Sequence, residues 1–544
     1  MKKFKIKKGI LITLAVGAIF LSFSFQSKFF EIAKQIEIYN TLFKELNMYY
    51  VDEINPAELT NKAIKNTLKD LDPYTNFYNE QDVEDAKIRR EGEYAGIGVG
   101  VYYTKNGIQI SEVYKGYAGD KAGLKAGDII TSVGDQTLKD MERVQLSMFL
   151  KGTPDTKIAV EIERQGKILK KEIIREQVEI NPVPFYEMID AETGYITLTQ
   201  FNEKASSEVK KAYRELKKKG MTKLVFDLRS NPGGSLQEAI NISNFFIPKG
   251  KVIVTTKAKV KKWSNTYKTT NDPLDLEIPL VVLVNGRSAS ASEIVSGSLQ
   301  DYDRAVIMGQ RSFGKGLVQR YRTLTYGTQL KLTISKYYTP SGRCIQELDY
   351  TNRDDKSGKV PKFSDKGING FKTENGRKVF DGGGVSPDVE IEISKKTEAT
   401  EVLVGSKALF NFAIDYFYKN PKIEAVENYQ FSNADFKNFT NYLVLDTTFV
   451  TKQERLFETA FLSIENKSIS KEYQKIKEKL FEDKIEEISK NQDIIQVLLE
   501  EEILEKYYYK EGVYQHHLKN DYTIKEAVKL LQNQDKYTQI LSGK

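Results

Sequence analysis

Apolar residues recur three and four apart from Ser27 to about Arg90, as at Ile36, Leu42 and Leu46 and again at Ala63, Ile64 and Leu68, the spacing of helices that bury one face. Leu71-Asp72-Pro73-Tyr74 interrupts the pattern, because proline disfavours helix at the residue before it. Between Glu91 and Gln177 the period changes to two: Tyr94 to Tyr103 and Lys157 to Glu163 read as short strands punctuated by glycine, with a helix expected at Met141–Leu150. From Gly194 to about Tyr338 the two patterns alternate. Strands are expected at Tyr195–Phe201, Lys223–Leu228, Leu280–Val284, Arg304–Met308 and Gln329–Ser335, and helices at Ser206–Lys219, after Gly234 and from Ser290. Such alternation predicts an α/β core with helices covering the sheet. Residues 339–393, rich in Gly, Lys, Asp and Pro, read as a looped continuation, and Thr400–Lys544 is Lys/Glu-rich with helical period.

A chain of 544 residues exceeds one hydrophobic core, and roughly 150 residues per domain suggests three or four units. The predicted architecture is multidomain α+β. A helical N-terminal segment (27–90) precedes a β-rich domain (91–177) inserted ahead of an α/β core (178–395), and a helical domain (396–544) closes the chain. Residues 1–26 form a targeting element, basic from Met1 to Lys8 and apolar from Gly9 to Phe25. Basic residues stay on the cytoplasmic side, so the remainder is expected to be exported. The apolar run of 17 lies between the core of a cleaved signal and the roughly 20 residues of a spanning helix. We read it as a retained anchor, with cleavage near Ser22-Phe23-Ser24 as the alternative.

The net charge of +7 is mostly that leader, because Lys2, Lys3, Lys5, Lys7 and Lys8 supply five of the charges. The remainder lacks the basic excess that phosphate backbones attract, so nucleic acid is excluded as a partner. Forty per cent hydrophobic residues give no reason to expect wholesale disorder. A single cysteine, Cys344, rules out an intramolecular disulfide. The two histidines, His516 and His517, are adjacent in the helical tail, and that scarcity narrows the mechanism.

Two strand-to-helix junctions carry unusual sequence. Leu224-Val-Phe-Asp-Leu228 runs into Arg229-Ser-Asn-Pro-Gly-Gly234, and Pro279-Leu-Val-Val-Leu-Val284 runs into Asn285-Gly-Arg-Ser-Ala-Ser-Ala-Ser-Glu293. Both place backbone N–H groups where a strand stops and a helix begins, the local geometry of an anion or oxyanion site. Small residues around Ser290 let its hydroxyl stand clear of the turn, and the N–H of Ala291 with that of Gly233 or Gly234 could hold a tetrahedral intermediate. A serine hydroxyl needs a base. With no histidine nearby, that base is a lysine, whose ordinary pKa of about 10.4 must fall by roughly three units to be neutral near pH 7. Lys315 stands out because Ser312-Phe-Gly-Lys-Gly316 sets it between glycines, which suits packing against another backbone. Taken alone, a lysine there reads more readily as a surface or salt-bridged one.

Two resemblances extend this reading. Ala122-Gly-Leu-Lys-Ala-Gly-Asp-Ile-Ile130, following Tyr94–Tyr103, resembles a PDZ domain, with Gly96-Ile97-Gly98-Val99 at the loop that binds a terminal carboxylate. The phrases Asn285–Glu293, Ser312–Gln319, Tyr338-Thr-Pro-Ser-Gly-Arg343 and Gly382-Gly-Gly-Val-Ser-Pro-Asp-Val389 resemble those of the carboxy-terminal processing peptidases, or tail-specific proteases, over most of residues 35–393. The resemblance implies Ser290 as nucleophile, Lys315 as base and Gln319 as the residue that orients the lysine amine. It carries the oxyanion donors to Ala291 and the turn containing Gly233 and Gly234. It also implies an extracytoplasmic endopeptidase on the bacterial cytoplasmic membrane, acting without metal or organic cofactor on polypeptides with apolar C-terminal tails, its PDZ domain often gating access. Cys344 and Tyr74 depart from the commoner pattern without touching that chemistry. The alternative of another class is a non-catalytic adaptor that binds C-termini through the same domain.

Overall fold

The computed structural model describes residues 29–354, 357–392, 394–462 and 470–543, so the leader expected at 1–26 lies outside the described residues. Among the described residues no helix is long and apolar enough to cross a membrane. Residues 29–77 form a unit of their own, with helices over 29–49 and Pro56–Lys69. Pro56 fits the first turn, where no N–H partner is needed, and the Asn55 side chain accepts from the N–H groups of Ala57 and Glu58.

The remaining residues are built around a six-stranded sheet, in the order Phe185–Met188, Thr193–Thr197, Lys223–Asp227, Leu280–Val284, Val306–Gly309 and Val389–Glu390. Only the first pairing is antiparallel. A parallel sheet must be covered on both faces, which is why Leu280-Val-Val-Leu-Val284 is apolar at every position. Leu224, Phe226, Leu280, Val282 and Val284 pack beneath the helices Ala205–Lys218, Leu236–Ser243 and Ala291–Asp301. Their neighbours Val225, Val281 and Leu283 face the opposite way, onto Ile524, Ala527, Leu530, Leu531 and Tyr537 of the helices Tyr522–Gln532 and Gln534–Ser542. The last two helices of the chain thus complete the sheet's cover, although they lie beyond the 178–395 stretch that local pattern assigns to the core.

The strand expected over Tyr195–Phe201 leaves the sheet after Thr197. Phe201 is drawn instead to the glycine turn, its N–H donating to Gly233 O (3.1 Å) and its carbonyl accepting from Ser235 N (2.8 Å). A second, antiparallel sheet includes Val252–Ala258, Thr266–Lys268, Leu317–Thr323 and Gln329–Tyr338.

The PDZ-like domain is an antiparallel sheet, Val99–Thr104, Gly107–Val113, Ile129–Val133, Lys157–Arg164 and Lys167–Ile174 in that order, over a core that includes Ile108, Ile110, Leu124, Ile130, Leu146 and Ile162. Glu93–Gly96 pairs with Glu176–Glu179, bringing the domain's entrance and exit together, as an inserted unit requires. The C-terminal helices Glu398–Gly405, Ala408–Lys419, Asn433–Tyr442, Ser470–Ser489 and Gln492–Asn520 share a core that includes Leu403, Phe412, Phe439, Ile488 and Leu499 together with Phe449, while among the described residues Lys452–Leu462 adds none to it.

Candidate active site

Ser290 begins the helix Ala291–Asp301 with φ +57° and ψ −108°. A non-glycine residue at positive φ costs about 1–3 kcal/mol and persists only where its surroundings over-determine it. Here Ser290 N donates to Glu293 Oε2 (2.7 Å), and Ser290 O accepts from Tyr337 Oη (3.1 Å) and from the N–H groups of Glu293 and Ile294 (both 2.9 Å). The turn before it is tied to the neighbouring strand end, with Ser288 Oγ donating to Leu228 O (2.8 Å) and Ala289 N to Asn231 O (3.0 Å).

Glu293 joins this elbow to the lysine loop. Its carboxylate is fully buried, with Oε2 accepting from Ser290 N (2.7 Å) and Lys315 N (2.9 Å), and Oε1 from Ser312 Oγ (2.6 Å) and Gly314 N (2.7 Å). Burial raises its pKa above the ordinary carboxylate value, against the pull of those hydrogen bonds. Sequence reasoning did not single out Glu293. The available signal was an acid three residues after a helix-opening serine, the spacing of a capping box.

Lys315 is half-buried, and its flanking glycines are explained by close backbone passage. A Cβ on Gly314 would come within 2.7 Å of Glu347 Cβ and 3.2 Å of Gly384 N, and one on Gly316 within 2.8 Å of Gln346 N. Gln319 lies four residues on, in the strand Leu317–Thr323, just past a bulge, and its amide donates to Thr333 Oγ1 (3.2 Å).

The glycine turn approaches the elbow from the adjacent strand. A Cβ on Gly233 would lie 2.7 Å from Ala289 O and 2.9 Å from both Ala291 N and Ser290 Cβ, and φ is +97°, so only glycine fits. The two glycines differ in their N–H groups. That of Gly233 donates to Asn231 Oδ1 (2.9 Å), which removes it from the set of available donors. Among the described residues, neither the Gly234 N–H nor the Ala291 N–H has a protein acceptor.

In the PDZ-like domain Ile97 is buried, and Gly98 has φ +69° where a Cβ would collide with Tyr117. Tyr114 N donates to Gly98 O (2.9 Å) and Gly119 N to Ile97 O (2.7 Å), fixing the loop. Val99 opens the outer strand of the sheet, beside a cavity of about 220 Å³ lined by Tyr94, Ile97, Val99, Val101, Leu146 and Leu150. Ile88 and Arg89 of the helix Glu80–Glu91 also line it, and that helix is clamped by Asp85 to Lys151 (2.5 Å). The end of the stretch read as a helical lead-in therefore forms one wall of this groove. His516 contacts Val426 O (3.0 Å) and Glu500 (3.3 Å), and His517 contacts Glu501 (2.9 Å), partners that all belong to the C-terminal helical region.

Residues 192–352 match Peptidase family S41, residues 109–164 a PDZ domain, and residues 399–531 the family described as "Probable PDZ-protease, C-terminal helical domain". The chain is 34% identical over 324 residues to a carboxy-terminal-processing protease of Bartonella bacilliformis, covering 58% of this chain and 74% of that one. It is 33% identical over 307 residues to a protein of Staphylococcus aureus strain MRSA252 named "Probable CtpA-like serine protease", covering 56% and 61%. Among solved structures it is similar to a photosystem II D1 C-terminal processing protease, at 25% identity and TM-score 0.36, over 65% of this chain and 86% of that one. With the elbow and the lysine loop inside the stretch that matches Peptidase family S41, and the three middle strands of the PDZ sheet carrying the PDZ match, the chain belongs to the carboxy-terminal-processing serine protease family, Peptidase family S41.

Proposed function

We propose that this chain is an exported endopeptidase that binds the apolar C-terminal tails of polypeptides on its PDZ domain and cleaves them with Ser290 as nucleophile and Lys315 as general base. The observation that carries this reading is the buried Glu293 carboxylate, which accepts from the N–H groups of both Ser290 and Lys315. A carboxylate in that place fixes the two candidate groups to one anchor, as a serine–base pair requires.

Neutral Lys315 takes the Ser290 proton as Oγ attacks the scissile carbonyl carbon. The oxyanion is held by the N–H groups of Ala291 and Gly234, the pair without protein acceptors, while Gly233 provides close approach. The C–N bond breaks as Lys315 returns the proton to the leaving amine. Water, deprotonated in turn by Lys315, then adds to the acyl carbon, and the C–Oγ bond breaks as Lys315 returns that proton to Ser290, releasing a carboxylic acid that ionises in water. Gln319 donates to Thr333, which leaves its Oε1 to accept from the lysine amine and aim it. A substrate's terminal carboxylate meets the backbone of Gly96–Val99, its chain adds to the outer strand, and its last side chain enters the cavity beside Leu146 and Leu150. Residues 1–26 hold the enzyme at the outer face of the cytoplasmic membrane.

The test compares full-length wild type, Ser290→Ala and Lys315→Ala on an unfolded reporter protein with an apolar C-terminal tail, with products identified by mass spectrometry. Cleavage by wild type, and a rate at least about 10³-fold lower in both variants, is expected. Tail binding by all three without cleavage by any would favour the adaptor. Equal cleavage by all three would mean another nucleophile, which diisopropyl fluorophosphate labelling would locate.

A further inference from the structure

The C-terminal helical region has no part in that mechanism, yet one segment of it touches both ends of the process. The helix Gln492–Asn520 is interrupted at Tyr509, where φ is +58° and ψ −171°. Such a conformation at a tyrosine is held by its surroundings, which here belong to the PDZ domain. Tyr509 Oη donates to Asp120 Oδ1 (2.7 Å), Lys510 Nζ donates to Glu112 Oε2 (2.7 Å), and Lys115 Nζ lies 3.5 Å from Glu511. These partners are the framework of the tail-binding loop. Asp120 Oδ2 accepts from Gly116 N (2.8 Å), inside the same 114–120 segment that donates from Tyr114 and Gly119 to the carbonyls of Gly98 and Ile97. Glu112 sits opposite Gly100 on the strand paired with Val99–Thr104.

At its other end the segment reaches the glycine turn. Asp521 caps the next helix by accepting from Ile524 N (2.9 Å), and its second oxygen accepts from Arg229 Nη1 (2.7 Å). Arg229 also donates to Asp227 from Nε (3.0 Å) and Nη2 (2.7 Å), directly before the Ser230–Gly234 turn. Midway, the Tyr514 ring stacks on Phe185 (5.7 Å between centroids), and Phe185 leans on Tyr195, whose hydroxyl donates to Asp227 Oδ2 (2.8 Å). At 1.5 Å per residue, the helix between the two ends spans about 17 Å.

We propose that Tyr509–Asp521 is a strut between the tail-binding loop and the oxyanion turn, with Tyr509, Lys510, Asp521 and Arg229 as positioning residues. A tail that shifts the 114–120 segment moves Asp120 and Glu112, and a helix gripped by polar bonds at both ends passes that displacement to Arg229 and so to Gly233–Gly234. The competing route is the chain connection at Glu93–Gly96 and Glu176–Glu179, bridged to the core by Lys204 (2.8 Å to Glu93, 3.2 Å to Glu179). The inference rests on Ser290 as nucleophile and Gly96–Val99 as the tail site.

Energetic coupling between two sites is reciprocal, so it can be read as a ratio of affinities. The two probes, applied to the full-length protein, are a peptide with a free apolar C-terminus and a peptidyl boronic acid. Ser290 Oγ adds to the trigonal boron as its proton passes to Lys315, setting a boron oxygen in the oxyanion turn. In wild type, saturating tail peptide is expected to tighten the boronic acid about fivefold or more, and the boronic acid to tighten the tail peptide by the same factor. In the Tyr509→Phe/Lys510→Met double variant, and separately in Asp521→Asn, that factor is expected to fall to within about twofold of unity while the tail peptide alone still binds. Lys204→Met is expected to keep it. Retention of the wild-type factor in both strut variants, or its loss in Lys204→Met alone, overturns the strut. A wild type that binds both probes without coupling overturns the strut and leaves the Ser290 reading intact, whereas failure of the boronic acid to bind wild type overturns both.

Discussion

Four donors converge on the Glu293 carboxylate, two from the elbow and lysine backbones and two from Ser312 and Gly314. A carboxylate satisfies them because it is acceptor-only, whereas glutamine offers one oxygen and turns an NH₂ toward N–H groups. Each buried donor left unpaired costs about 1–3 kcal/mol. Glu293→Gln is therefore expected to lower kcat about 100-fold or more and to lower the melting temperature by several degrees, checked by steady-state kinetics and a thermal melt. Gly233→Ala meets a different obstacle, backbone atoms at 2.7 Å and 2.9 Å together with a left-handed φ. We expect it to abolish cleavage while C-terminal peptides still bind the PDZ domain, measured by fluorescence anisotropy.

At the scale of the element, the helix Gln492–Asn520 carries a charge where it meets the PDZ sheet. Burial raises Glu505 to a pKa of about 7, with Glu502 and Lys506 of its own helix, Lys510 beyond the break and Glu112 of the PDZ strand as the charged groups around it. Its folded pKa exceeds the ordinary value near 4.5, so between those values the native state holds more protons than the unfolded chain. The stabilisation is complete below about 4.5 and is lost as the pH rises through about 7. Its full size is on the order of 3 kcal/mol, because a tenfold change in proton affinity corresponds to about 1.36 kcal/mol. Urea denaturation at pH 5.5 and pH 8 should show lower stability at the higher pH, and Glu505→Gln should flatten the difference. A wild type equally stable at both would refute the assignment.

For the whole molecule, the protease core is not contiguous in sequence. The helices Tyr522–Gln532 and Gln534–Ser542 bury Ile524, Ala527, Leu530, Leu531 and Tyr537 against one face of the central sheet, and Tyr537 Oη also accepts from Leu280 N (2.9 Å) and donates to Leu280 O (3.2 Å). At about 1.5–3 kcal/mol per large apolar side chain, that burial is worth roughly 10 kcal/mol, comparable to the net stability of a domain. A chain ending at Asn520 is expected to be insoluble or to melt near ambient temperature, scored by soluble yield and circular dichroism. A truncated chain that stays folded would show that these helices are dispensable cover.

The fold class was legible because period and punctuation are local. The change from helical spacing to alternation near Glu91, and the apolar runs Leu224-Val-Phe226 and Leu280–Val284, suffice for an α/β core beside a β-rich domain. The candidate site was legible to the extent that it is written in short phrases, so that Ser290 and the two glycines could be proposed from flanking residues, and Lys315 once the resemblance of its phrase to a known family was added. What the phrases could not hold was any relation between distant segments. Glu293 reads as an ordinary helix-opening acid until folding brings Ser312, Gly314 and Lys315 to it. Gly233 and Gly234 are interchangeable in sequence, and become distinct only when Asn231 takes one N–H. The placement of the last two helices, and of Asp521 on Arg229, was decided by the need of a parallel sheet to be buried on both faces and of a buried guanidinium to be paired. Those requirements fix that a partner must exist and leave to the tertiary structure which residue supplies it.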